Sequence, residues 1–258
     1  MKKIFLYGIF LYFSNFMNAQ EVKPDPNFHV YLLVGQSNMA GRGKLDEESK
    51  KENLQILMLN KKNVWVPATD PLHFDKPESV GVGPGISFAK EMIADNKKIK
   101  IGLIPCAWGG SPIKVWQQGE TYLKVNHPYD EAIVRAKIAM QKGVLKGILW
   151  HQGESDNDSI KAKFYKDKLV SLITRLRNDL QQAELPFVAG EIGYFNRNNF
   201  INKEIVQLPK LLSNTAVVSA KELTDKGDHL HFDTPSAREL GKRYAKEIKK
   251  LQGNKLLK

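Results

Sequence analysis

The chain has 258 residues, 42% of them hydrophobic and 26% charged, which suits one sizeable α/β domain or two small ones and excludes a disordered chain. Its 39 Lys and Arg against 28 Asp and Glu leave a formal net charge of +11, but the lysines are scattered over helical patterns and no nucleic-acid motif appears. A solvated basic face is expected, with no nucleic-acid partner, and the single cysteine, Cys106, excludes an intrachain disulfide.

The chain begins with "MKKIFLYGIFLYFSNFMNA", residues 1–19. Lys2 and Lys3 precede an apolar run from Ile4 to Phe16 that is too short to span a bilayer, and Ala19 is a small residue suited to a cleavage site. Met17, at the third position before the cut, is larger than usual there. The reading is a secretory signal peptide, with a fixed transmembrane anchor as the alternative. No cysteine follows the cut that would carry a lipid anchor, so no stable membrane insertion is expected after cleavage. Removing two lysines and no acids lowers the charge from +11 to +9. Export without disulfides suits a periplasmic or secreted protein.

From there, short β-rich runs alternate with longer helical patterns, which predicts a parallel sheet covered on both faces. Strands are expected at 30–34 ("VYLLV"), 54–59, 101–105, 147–150 and 186–192, with a possible sixth at 216–219. "GISFAKEMIAD" and "YDEAIVRAKIAMQKG" read as helices, the second ended by Gly143. Ile160, Phe164, Leu169, Ile173, Leu176 and Leu180 make one stripe of a long helix that stops before Pro186. In the final helix Thr234 is the expected N-cap, Pro235 a first-turn residue, and Ala237, Leu240, Gly241, Tyr244, Ile248 and Leu251 one apolar face. There is no repeat and no linker, so 20–258 is read as a single domain. No feature assigns an oligomeric state.

Ligands of open α/β sheets sit beyond the carboxyl ends of the strands. Ser37 lies just past such an end, in "VYLLVGQSNMAGRG". A serine hydroxyl needs a base to take its proton, and the base works best with a carboxylate fixing its tautomer. "DHLHFD" (228–233) supplies Asp228 and His231, three residues apart before the final helix, although a polar loop entering a helix would look similar. Two further loops follow strand ends. "PCAWGGSPIKVW" carries the pair Gly109–Gly110, and "WHQGESD" carries Gln152. The Ser37 and Gly110 amides and the Gln152 side chain would together make an oxyanion hole, each donor commonly worth ~3 kcal/mol in the transition state. Taken singly, the glycines also fit a tight turn and Gln152 a solvated loop.

"GQSNMAGRG", "GVGPGISFA", "IPCAWGGSPI", "WHQGESD" and "DHLHF", in this order, resemble the signature blocks of the SGNH-type carbohydrate esterases. Within these the resemblance is to the sialate O-acetylesterase-like group, which includes the acetylxylan esterases of carbohydrate esterase family 6. It implies a flavodoxin-like three-layer α/β/α sandwich with a central parallel sheet. It also implies Ser37 as nucleophile, His231 as general base, Asp228 as its orienting acid, and Ser37, Gly110 and Gln152 as oxyanion donors. No cofactor is called for, and the partner expected is an O-acetylated oligo- or polysaccharide, acetylated xylan first. A sialate O-acetylesterase is the near alternative, a lipase or thioesterase of the superfamily a further one, and a non-catalytic glycan-binding module the alternative of another class. Gln36, Asn38, Trp108, Trp116 and Glu154 are candidates for substrate contact, each with a packing or bracing role as the competing reading. Arg42 has no assigned direction. His229 with Asp225 and Asp233 fits no trusted metal spacing, so no metal site is expected, and "GVGPG" lacks the Lys-Ser/Thr of a phosphate loop. Loops 42–53, 66–80 and 194–202 are expected to shape the cleft.

Overall fold

The computed structural model describes residues 23–94 and 96–253. The expected leader, 1–19, lies outside the described residues. No described helix is long and apolar enough to cross a membrane.

The apolar run "VYLLV" (30–34) lies in the central strand, β1 (Asp25–Gly35). Val30, Leu32 and Val34 pack into the core on one face, Tyr31 and Leu33 into the core on the other. That two-sided burial is why the run is continuously apolar rather than alternating. β2 (Ile56–Leu59), β4 (Lys100–Pro105), β5 (Gly143–His151), β6 (Phe187–Gly190) and β7 (Thr215–Val218) fall at the expected positions. One strand was not expected: β3 (Trp65–Pro67), three residues on the sheet edge. The sheet runs β3-β2-β4-β1-β5-β6-β7, and each neighbouring pair is parallel except β2–β3.

The helices make the outer layers. α2 (Gly85–Ala94) and α7 (Thr234–Gly253) pack on the face that holds Tyr31 and Leu33. α3 (Pro128–Met140), α4 (Tyr165–Asp179), α5 (Phe200–Ile205) and α6 (Leu208–Leu211) pack on the other. The result is the three-layer α/β/α sandwich. From β1 the chain fills one side of the sheet, β4 returning to the place beside β1, and then builds the other side outward, so the topological switch lies at β1, between β4 and β5. That is where an α/β sheet opens a crevice.

Several expectations are corrected here. Gly143 does not end a helix: α3 stops at Met140 and Gly143 is the first residue of β5, where a Cβ would sit 2.5 Å from the Phe28 carbonyl oxygen. Ile160 and Phe164 are exposed, because the long helix starts only at Tyr165, after short 3-10 turns. Thr234 does not cap α7. Asp233 does, its carboxylate accepting from the Ser236 N–H at 2.8 Å, while the Thr234 hydroxyl donates to the Lys44 carbonyl. The segment 194–202, expected as a cleft loop, runs into α5 instead and does not line the cleft described next.

Candidate active site

Three strand ends meet at the switch. β1 ends at Gly35, whose φ of +128° and approach to β5 exclude a side chain: a Cβ there would lie 2.0 Å from the His151 carbonyl oxygen. This contact lets Gln36 N–H donate to that carbonyl at 2.8 Å and turns the chain into α1 (Ser37–Ala40), a single buried turn. Ser37 is therefore the first helical residue, its amide among the N-terminal N–H groups that have no partner within a helix. β4 leads to Trp108–Gly109–Gly110, with Gly110 at φ +82° and its amide without an acceptor among the described residues. β5 leads to His151 and Gln152.

The last partner comes from far along the chain. His231 Nε2 lies 3.0 Å from Ser37 Oγ, and His231 Nδ1 lies 2.7 Å from Asp228 Oδ2. The other carboxylate oxygen of Asp228 accepts from the backbone N–H groups of Leu230 and His231, at 3.0 and 2.8 Å. Partial burial works against the charge on Asp228, but the His231 and Leu230 hydrogen bonds outweigh it and bring its pKa down to about 2. Serine, imidazole and carboxylate thus stand in one hydrogen-bonded line. They face a cleft of about 430 Å3 that Gln36, Arg42, Lys76, Gly110 and Lys226 also line.

Two of the proposed donors reach this cleft and one does not. Ser37 and Gly110 line it. Gln152 is fully buried beneath it, its amide nitrogen 2.7 Å from Asp156 Oδ2, 3.0 Å from Gln36 Oε1 and 3.2 Å from the Ser111 carbonyl. Its own carbonyl accepts from the Tyr165 hydroxyl at 2.9 Å. Gln152 is corrected accordingly: its amide is consumed inside the protein. Gln36, itself buried, takes the place on the cleft wall. Its Oε1 receives Gln152, and its amide nitrogen, with no acceptor among the described residues, belongs to the cleft wall.

Of the other expected contacts, Glu154 lines the cleft, whereas Trp116, Trp108 and Asn38 do not. Trp116 is buried, its indole N–H given to Ser111 Oγ and its ring packed edge-on against Trp150, so it touches no substrate. Trp108 is half-buried but lines a neighbouring cavity, not the cleft. Asn38 is buried and grips the histidine loop on both sides of His231, donating to the Leu230 carbonyl at 3.1 Å and accepting from the Phe232 N–H at 3.1 Å. The same amide donates to Glu154. Burial opposes ionisation of Glu154, but the His151 ring 3.6 Å away and the Asn38 amide outweigh it, and its pKa is lowered. Arg42 is directed after all, by a 2.8 Å ion pair with buried Asp75, which also accepts from Gly109 N–H. Asp225 pairs with His229 at 3.1 Å, and Asp233 serves Thr224 and the start of α7.

Sequence reasoning missed Asp156, Tyr165 and Asp75, which hold Gln152 and Gly109 from below. The only signal was the density of polar residues directly after two apolar strands.

A family model described as carbohydrate esterase, sialic acid-specific acetylesterase matches residues 27–250. The chain belongs to this family. It is a carboxylic ester hydrolase with the SGNH-like fold, which sets aside the reading as a non-catalytic binding module. A probable carbohydrate esterase of Arabidopsis thaliana is 35% identical to the esterase over 240 residues, covering 84% of this chain and 89% of its own. The X-ray structure of a protein from Arabidopsis thaliana, 34% identical, matches with a TM-score of 0.77 over 88% of this chain and 99% of that one. Sialate O-acetylesterase of Homo sapiens is 28% identical over 165 residues, 49% of the esterase and 31% of that protein.

Proposed function

We propose that the esterase removes O-acetyl groups from carbohydrates through an acetyl-enzyme on Ser37. His231 takes the Ser37 proton as Oγ attacks the acetyl carbonyl, and Asp228 holds the ring and stabilises the imidazolium that forms. The oxyanion is received by the Ser37 and Gly110 amides and the Gln36 carboxamide, which replaces Gln152 in this role because only Gln36 borders the cleft. His231 then gives its proton to the leaving sugar oxygen. Water, activated by the same ring, releases acetate and restores Ser37. Gln152 acts through Gln36 as a positioning residue.

The observation that carries this reading is the pair of contacts at His231, 3.0 Å to Ser37 Oγ and 2.7 Å to Asp228. Ser37→Ala should lower p-nitrophenyl acetate turnover by ~10^6-fold with the fold intact. Undiminished turnover in folded protein removes Ser37 from the mechanism.

The substrate proposed is an O-acetylated polysaccharide, acetylated xylan first. Lys76 and Lys226 on the cleft wall favour a second reading, a carboxylate-bearing sugar such as O-acetylated sialic acid. Acetate release from both substrates, side by side, separates them. Export through residues 1–19 belongs to the same proposal and places the enzyme in the periplasm or medium, where the lack of disulfides is no handicap to a protein held by its core.

A further inference from the structure

A second cavity, of about 670 Å3, backs onto the catalytic cleft. The two share their walls. In Phe74–Asp75–Lys76 the phenylalanine faces the second cavity and the lysine faces the cleft. In Trp108–Gly109–Gly110 the indole faces the second cavity and the glycines face the cleft. Between them runs a buried partition in which Asp75 accepts from Arg42 at 2.8 Å and from Gly109 N–H at 2.7 Å.

The chemistry of the second cavity differs from that of the cleft. Trp108 is half-buried, with its indole N–H already given to Glu131 Oε2 at 3.2 Å, so what it offers is a ring held in one orientation. Asn63 and Asn126 line the same cavity. Asn63 Oδ1 is taken by Arg135, and the Asn126 side chain makes no hydrogen bond among the described residues. A fixed aromatic surface in a lining that also holds Asn63, Asn126, Lys61, Asp130 and Arg135 suits a pyranose, whose C–H face stacks while its hydroxyls meet donors and acceptors at the edge.

We propose that this cavity is a distal subsite for a second sugar of the same chain whose acetyl group enters the cleft. The proposal rests on the acetylesterase reading of the Ser37 cleft and adds that the substrate is an oligomer rather than a lone sugar. Occupying both sites makes the second contact intramolecular, so the gain appears for chains only. The pre-fixed indole lowers the ordering cost of that contact.

The test compares acetylated xylo- and manno-oligosaccharides with the corresponding acetylated monosaccharides, and uses p-nitrophenyl acetate as reference. The oligosaccharides of at least one series should be preferred by about tenfold in kcat/KM, carried by KM. Trp108→Ala should erase the preference. Because that change sits beside Gly110, Val134→Trp is the second variant. Val134 is exposed on α3 and lines the second cavity but not the cleft, so a tryptophan there fills space in the cavity without touching the cleft wall. Loss of the preference in Val134→Trp, with aryl acetate turnover retained, supports the subsite. No preference for chains in either series, or a preference that survives Val134→Trp, overturns it while leaving acetylesterase chemistry standing. Failure of the wild-type protein on every acetate ester overturns both.

Discussion

The two halves of the catalytic line are held by different physics. Ser37 is 6% exposed, the first residue of a buried turn between β1 and the core, and its position follows from strand packing. Asp228 and His231 stand in the turn 225–231, with side chains 36% and 17% exposed and with Gly227 and His229 at positive φ. Hardly any apolar burial fixes that turn. It is held by the carboxylate of Asp228 on its own backbone, by the 3.0 Å Lys226 N–H to His231 carbonyl bond, and by Asn38 reaching across from α1. The nucleophile is thus placed by the fold, whereas the base is placed by hydrogen bonds that single substitutions remove.

The sharpest break of that contrast is at Asp228. Asp228→Ala deletes the partner of His231 Nδ1 and the one oxygen that accepts from both turn N–H groups, so kcat for p-nitrophenyl acetate should fall by ~10^4-fold. The melting temperature should hardly move, since the site is exposed. A loss of activity accompanied by large destabilisation would mean that the turn, like Ser37, is part of the core.

The same contrast explains what could be read from residues alone. β1 was legible because burial on both faces leaves a continuous apolar run, and Ser37 because polar residues follow it abruptly. Asp228 and His231 were legible as a pair, which the two further loops after strand ends and then the family resemblance singled out from an ordinary polar loop. What stayed hidden was set by tertiary partners. Nothing local says that Gln152 points down to Asp156 and Tyr165 rather than up, or that Asn38 spans the chain to hold Leu230 and Phe232. β3 escaped because three residues carry no period, and Gly143 misled because a glycine that ends a helix and one that opens a close-packed strand look alike in sequence.

On the buried side, Gln36→Ala should cost ~10^2-fold in kcat by removing one donor from the developing oxyanion. Gln152→Ala should act mainly on stability, by ~1–3 kcal/mol measured by denaturant unfolding, because it removes buried hydrogen bonds to Gln36, Ser111 and Asp156 while Asp156 keeps the Ile113 N–H and Tyr165 keeps the backbone carbonyl of residue 152. Full activity in folded Gln36→Ala would return the donor role to another group. Across the divide, Asn38→Ala should lower kcat by ~10-fold at nearly constant KM, because it loosens His231 without touching substrate. An unchanged kcat would mean that the turn holds itself.

The smallest expected effect is on the turn's acid tolerance. The pKa of Asp228 is about 2 in the folded protein against an ordinary value of 3.8. A carboxylate depressed on folding contributes stability above its unfolded pKa and loses it as pH falls through the folded one, so the window lies between about pH 4 and pH 2. Its side chain is too exposed for that contribution to unfold the protein, and the loss should stay local. Pepsin cleavage at Leu230 or Phe232, taken as the ratio of Asp228→Ala to wild type so that the protease's own pH dependence cancels, should be about a few-fold above one at pH 4 and approach one at pH 2. The segment around Ser37 should resist cleavage throughout. A ratio of one across the whole window would show that Asp228 orients His231 without also securing the turn, and the distinction between packing on one side and hydrogen bonding on the other would shrink to the imidazole alone.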